Sequence, residues 1–206
     1  VDRGEYYRDL EEHKVSGFGT MPVEPALSWV DGKVEVDWSA YDESCEFLFE
    51  ELGMRHAKFP HGKRGGGGSN VYPFLSFQPG TPEFDTAYED YLGQAREHLG
   101  ERGWLDGLDC YIFDEPDHER IEVIKQVAPI IRRTIPDLRI FPACARNTLD
   151  LIGVLNAWCP PVNNFGAPIG DFTRERIEAG RARGDVYWWY NQDDNAIGCP
   201  VVTHRA

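Results

Sequence analysis

Residues 109–113 (DCYIF) constrain the fold more than any other stretch of the chain. Apolar side chains follow one another there without alternating with polar ones. A strand of that kind is covered on both faces, as in parallel sheets with helices on either side. Other stretches also read as strands: RHAKF (55–59), stopped by Pro60; LRIFPA (138–143); VLNAWCPP (154–161), stopped by two prolines; and DVYWWYNQ (185–192). A further strand-like stretch covers Ser16 to Met21.

Helical periodicity lies between these runs. GEYYRDLEEH (4–13) reads as the end of an amphipathic helix. Asp37 or Ser39 can cap a helix with Tyr41, Cys45, Leu48, Phe49 and Leu52 on one face, closed by Gly53. From Pro82 to Arg102, Phe84, Tyr88, Tyr91, Leu92, Ala95 and Leu99 form one stripe, and Pro82 suits a first turn. Asp117 can cap a helix with Ile121, Ile124, Val127, Ala128 and Ile131 inside. Pro129 is expected to kink it, and Pro136 lies beyond its end. Asp171 or Thr173 starts the last helix.

Strands alternating with helices mean an α/β fold with a parallel sheet. A doubly wound sheet is one solution, but no GxGxxG follows any strand. A TIM-type (β/α)8 barrel is the expected architecture, with functional loops after the strand C-termini. Such barrels need about 250 residues, and the chain has 206. It opens on a helix and stops just after a strand, so the barrel is expected to be incomplete, with its first and last strands not evident. Residues 1–206 are read as one such domain or a fragment of one.

Composition narrows the partners. Asp plus Glu number 35 against 21 Lys plus Arg, a formal net charge of −14 with no basic cluster. That disfavours nucleic acid and anionic membrane. No apolar run reaches the roughly 20 residues that span a bilayer, so membrane insertion is not expected. The oligomeric state is not readable. Five cysteines, at 45, 110, 144, 159 and 199, show no CxxC. Cys110, Cys144 and Cys159 lie in or beside apolar runs and read as small core residues. No signal peptide is visible. GKRGGGGSN (62–70) lacks the GK[ST] of a phosphate loop and reads as a flexible loop or an engineered linker.

The segment YIFDEPD (111–117) carries the sharpest chemical signal. Asp114 and Glu115 end an apolar strand, where a barrel places catalytic groups. Neighbours in a strand point to opposite faces. At the strand's end the chain turns, and Pro116 is expected to hold Glu115 extended. Both carboxyls could then reach one pocket, with one of them serving as a general acid near neutral pH. The same two acids also fit a polar cap before a helix.

YIFDEP resembles the Asp-Glu-Pro signature of glycoside hydrolase family 123 and of the related barrel domain of unknown function 4091. The resemblance runs from YYRDLEEHKVS through DEP and LNAWCPP to VYWWYNQ. It implies an exo-acting β-N-acetylgalactosaminidase on a (β/α)8 barrel, a glycan as partner, and a secreted or periplasmic setting. It also implies substrate-assisted, retaining catalysis, an exception to the two-carboxylate rule. Carried over, Glu115 would be general acid and then base, and Asp114 would hydrogen-bond the acetamido N–H.

Other residues fit sugar binding. Trp188, Trp189 and Tyr190 close a strand and precede Asn191. Sugar C–H faces stack on aromatic rings while polar groups take the hydroxyls. By alternation Trp188 and Tyr190 share one face and Trp189 the other. These rings also fit a core. The resemblance places Tyr190 near the acetamido group. Trp158 reads as a pocket wall or a core residue, Asn163 and Asn164 as hydroxyl binders, and Tyr72 and His61 as weaker candidates. No HExxH and no other metal-ligand spacing occurs, so neither metal nor cofactor is expected. No GxSxG occurs either. A conventional glycosidase would need a second carboxylate, for which Glu24, Asp193 and Asp194 are candidates. A non-catalytic glycan-binding barrel is the remaining alternative.

Overall fold

The computed structural model describes residues 3–13, 23–62, 73–162 and 170–190. Strands β3 (Ala57–Lys58), β4 (Leu108–Asp114) and β5 (Arg139–Ala143) form a parallel sheet with β4 in the middle. A parallel bridge from Ala143 to Cys159 leads on to β6 (Ala157–Trp158). β6 pairs in parallel with β7 (Val186–Tyr187), and a Pro161–Tyr190 bridge extends that ladder. Parallel neighbours therefore follow one another in chain order. A doubly wound sheet would reverse that order at a switch point.

Closure is not found. The described residues hold a mixed α/β fold with small parallel and antiparallel sheets, and no closed barrel. The ladder thins at β6 and β7, which hold two residues each. Pro160 and Pro161 lack the N–H groups that would lengthen it. The strand expected at Ser16 to Met21 and residues 63–70 of the Gly-rich segment lie outside the described residues.

One element went unforeseen. β1 (Ala26–Val30) and β2 (Lys33–Asp37) form an antiparallel hairpin. Its turn is Asp31-Gly32, both at positive φ (50° and 80°), which Asp-Gly accepts readily. Asp90 and Gln94 fasten the hairpin to a helix, Asp90 accepting from the Val34 N–H at 2.7 Å and Gln94 donating to the Val34 carbonyl at 2.8 Å.

The helices follow the apolar stripes. Besides α1 (Arg3–Glu12), α2 (Ser39–Cys45) buries Tyr41 and Cys45 and runs into a π-helical turn, Glu46–Glu51. The N-cap position falls on Trp38, which makes no side-chain cap, in place of the expected Asp37 or Ser39; Asp37, one residue earlier, accepts from the Ser39 N–H at 3.0 Å. α3 (Pro82–Glu101) buries all six stripe residues at 0% exposure. α4 (His118–Thr134) is capped by Asp117 and runs on through Pro129. α5 (Arg174–Ala182) is capped by Thr173. α3 and α4 pack together, and one apolar cluster joins them to β4 and β5.

The sheet's two ends differ. At the amino end of β4, Asp109 is 2% exposed and paired with Arg139, its partner in register on β5. At the carboxyl end, the chain leaving β3 is tied to α3 by two phenols. Tyr88 donates to the His61 carbonyl at 3.1 Å, and Tyr91 donates to the Pro60 carbonyl. Gly62 follows at φ +69°, and a Cβ there would lie 2.7 Å from the Phe74 ring.

Candidate active site

β4 delivers both acids to the carboxyl end of the sheet, and it does so by breaking its own regularity. The step from Tyr111 to Asp114 is three residues, while the matching step on β5, Phe141 to Ala143, is two. One extra residue in one strand is a β-bulge, which re-aims the side chains after it. Asp114 thereby comes round to Tyr111, whose phenol donates to Asp114 Oδ1 at 2.7 Å.

Glu115 then turns. Its φ is +40°, in the left-handed region, where the residue before Pro116 had been expected to stay extended. Its N–H donates to the Ala143 carbonyl at 2.7 Å, so the sheet holds the turn in place. Its side chain accepts from the Tyr190 phenol, Oη to Oε1 at 3.0 Å. Asp114 and Glu115 are both exposed, beside half-buried Tyr111, Trp188 and Tyr190.

Two carboxyls thus receive one phenol each, from β4 itself and from the end of the β7 segment. Burial first, and then the bond to Asp114, pushes the Tyr111 phenol well above its usual range. Burial first, and then the bond to Glu115, does the same for Tyr190. Both remain protonated donors at any working pH. Burial also pushes the half-buried Cys159 thiol up to about 11, so it is not a thiolate nucleophile.

Trp188 lies in an aromatic row beside the acids. Its ring meets Phe141 edge-on at 4.7 Å, and Phe141 packs on Tyr111 at 5.3 Å. Alternation holds here: Trp189 is on the other face, stacked on Tyr187 and 39% exposed.

Trp158 is placed differently from the pocket-wall reading. It is 1% exposed, edge-on to Phe172 at 5.8 Å, with Arg176 5.2 Å from its ring centroid. Its indole N–H donates to Asp185 Oδ2 at 3.1 Å. At 1% exposure with its N–H bonded, it is packed as a core residue, the other of the two readings its sequence position allowed.

Asn163, Asn191 and Tyr72, together with Asn164, Asp193 and Asp194, lie outside the described residues. His61 is buried at 2% exposure. Glu24 lies near Lys58 and accepts a hydrogen bond from the Gly62 backbone, at the carboxyl end of β3. Burial raises its carboxyl from 4.5 to about 7. Among the described residues no group of three His, Cys, Asp or Glu could hold a metal ion.

Sequence reasoning missed Tyr111. In a regular strand it would point away from Asp114, and no glycine marks the bulge that brings them together.

Comparisons with known proteins bear on the fold and the family. A solved structure described as "The details of glycolipid glycan hydrolysis by the structural analysis of a family 123 glycoside hydrolase from Clostridium perfringens" matches with a TM-score of 0.61 at 14% identity. The match covers 92% of this chain and 38% of that one, so the chain spans well under half of its relative's length. No curated protein sequence matches the chain. The family model "Glycoside hydrolase 123, catalytic domain" matches residues 20–197, most of the chain, and the chain therefore belongs to glycoside hydrolase family 123.

Proposed function

We propose that this chain carries the catalytic acids of a glycoside hydrolase that removes a terminal β-linked N-acetylhexosamine, N-acetylgalactosamine first among them. The observation that supports this reading best is the pair Asp114 and Glu115 at one strand end, each with one oxygen held by its own phenol. Adjacent carboxyls so placed suit a reaction in which the substrate supplies the nucleophile.

In this reading the 2-acetamido carbonyl oxygen attacks the anomeric carbon. The bond to the leaving oxygen breaks as Glu115 gives that oxygen its proton. Asp114 accepts a hydrogen bond from the acetamido N–H and offsets the positive charge of the oxazolinium. Glu115 then takes a proton from water, which adds at the anomeric carbon from the face the leaving group vacated. The product keeps its configuration. Trp188 offers an apolar ring edge for the sugar, and Tyr190 holds Glu115 within reach of the leaving oxygen.

The architecture we infer for the whole catalytic domain is a (β/α)8 barrel. Its support is the run of parallel strands in chain order, with both acids at the carboxyl end, where barrel enzymes keep their sites. The Clostridium relative acts on glycolipid glycans, which makes such a glycan a candidate substrate here.

The test is hydrolysis of a chromogenic β-N-acetylgalactosaminide beside the matching β-galactoside. Cleavage of the acetamido sugar alone is expected. Glu115→Gln is expected to lower kcat on a poorly activated leaving group by about 10²-fold or more. Equal cleavage of both sugars, or an unaffected variant, would contradict the reading.

A further inference from the structure

Residues three apart in an ideal strand lie on opposite faces, about 10 Å apart along the chain. Tyr111 and Asp114 are three apart on β4 and nevertheless share a hydrogen bond of 2.7 Å. The bulge between them makes this contact, because the extra residue shifts the alternation by one. The Tyr111 ring is in turn held by Phe141, its partner in register, and Phe141 is held by Trp188. Three strand segments therefore support the position of one phenol.

An aspartate needs such support. The torsion of its carboxyl is broad and roughly two-fold, so an unheld group averages over orientations. A phenol fixed on one oxygen makes a short, charge-assisted hydrogen bond and removes that freedom.

We propose that Tyr111 is a positioning residue for Asp114: its phenol, aimed by the β4 bulge, holds Oδ1 so that Oδ2 is presented to the acetamido N–H of the sugar. The proposal rests on the substrate-assisted reading and adds to it the group that sets the direction of Asp114. Tyr111 acts through Asp114 and does not touch the reacting atoms.

Tyr111→Phe removes the hydroxyl and keeps the ring against Phe141, so the fold is retained; matching thermal unfolding of the variant checks this. On the acetamido substrate, kcat is expected to fall about ten- to hundredfold, with KM changed by less than about threefold. Added to Asp114→Asn, the substitution is expected to cost less than about twofold more, because residues acting as a unit are not additive. A second readout needs no substrate. With 3-fluorotyrosine at position 111 of the full protein, the 19F resonance is expected to move on Asp114→Asn and to stay within about a linewidth on Glu115→Gln.

A kcat unchanged in Tyr111→Phe, or a full multiplicative loss in the double variant, overturns the proposal. So does a fluorine resonance blind to Asp114→Asn, whatever turnover shows. Wild-type protein inactive on every acetamido sugar would instead overturn the reaction, and the fluorine result would then decide the Tyr111–Asp114 pairing alone.

Discussion

At Glu115 the backbone sits at φ +40° in a residue that carries a full side chain. A left-handed conformation costs a non-glycine residue about 1 kcal/mol or more, and it persists only where its surroundings impose it. Here the Ala143 carbonyl imposes it from β5, and the carboxylate swings to meet Tyr190. Tyr190→Phe tests that contact. Loss of a hydrogen bond to a charged group is expected to lower kcat about tenfold or more, while a KM effect alone would place Tyr190 in sugar binding instead. The place of the two carboxyls at the end of β4 was legible in the sequence, because they follow an unalternating apolar run. The direction of Trp158 was not. Position at a strand end does not reveal which face a ring takes, and this one turns into the Phe172 and Arg176 layer.

Elements were read well wherever their signals are local. α4 and α5 begin at caps their sequences announce, Asp117 accepting from the Arg120 N–H and Thr173 from the Arg176 N–H. Asp117→Ala is expected to cost about 1 kcal/mol in chemical denaturation, the usual worth of such a cap. The β1–β2 hairpin was missed although Asp31-Gly32 marks its turn, because its strands are only weakly apolar and mostly exposed. The β4 bulge has no local signature, since it arises from pairing with β5. Where the chain leaves β3, Gly62→Ala would strain φ and press on the Phe74 ring. Such a change is expected to destabilise by more than about 1 kcal/mol, seen as a lower midpoint with an unchanged denaturant slope.

For the whole molecule, the periodicities announced an α/β fold with parallel strands, and the strands do pair in chain order. Closure was not legible, because it depends on how far each ladder extends, and β6 and β7 stop after two residues. Global stability should also report Glu24. Burial holds its carboxyl at about 7 instead of 4.5, so the folded chain binds that proton more tightly than the unfolded one. Its contribution favours the folded state below about 4.5 and is lost as pH rises toward 7. Glu24→Gln stays neutral, and should gain on wild type by about 3 kcal/mol at most across that window, then level off. A stability difference flat in pH would show that Glu24 ionises freely. The reaction itself is tested most directly by varying the one group that the account makes the nucleophile. On chromogenic β-N-acetylgalactosaminides bearing acetyl, monofluoroacetyl, difluoroacetyl and trifluoroacetyl groups, kcat/KM should fall steeply with each fluorine, as the carbonyl oxygen loses electron density. A series that stays flat would place the nucleophile on the protein and contradict the account.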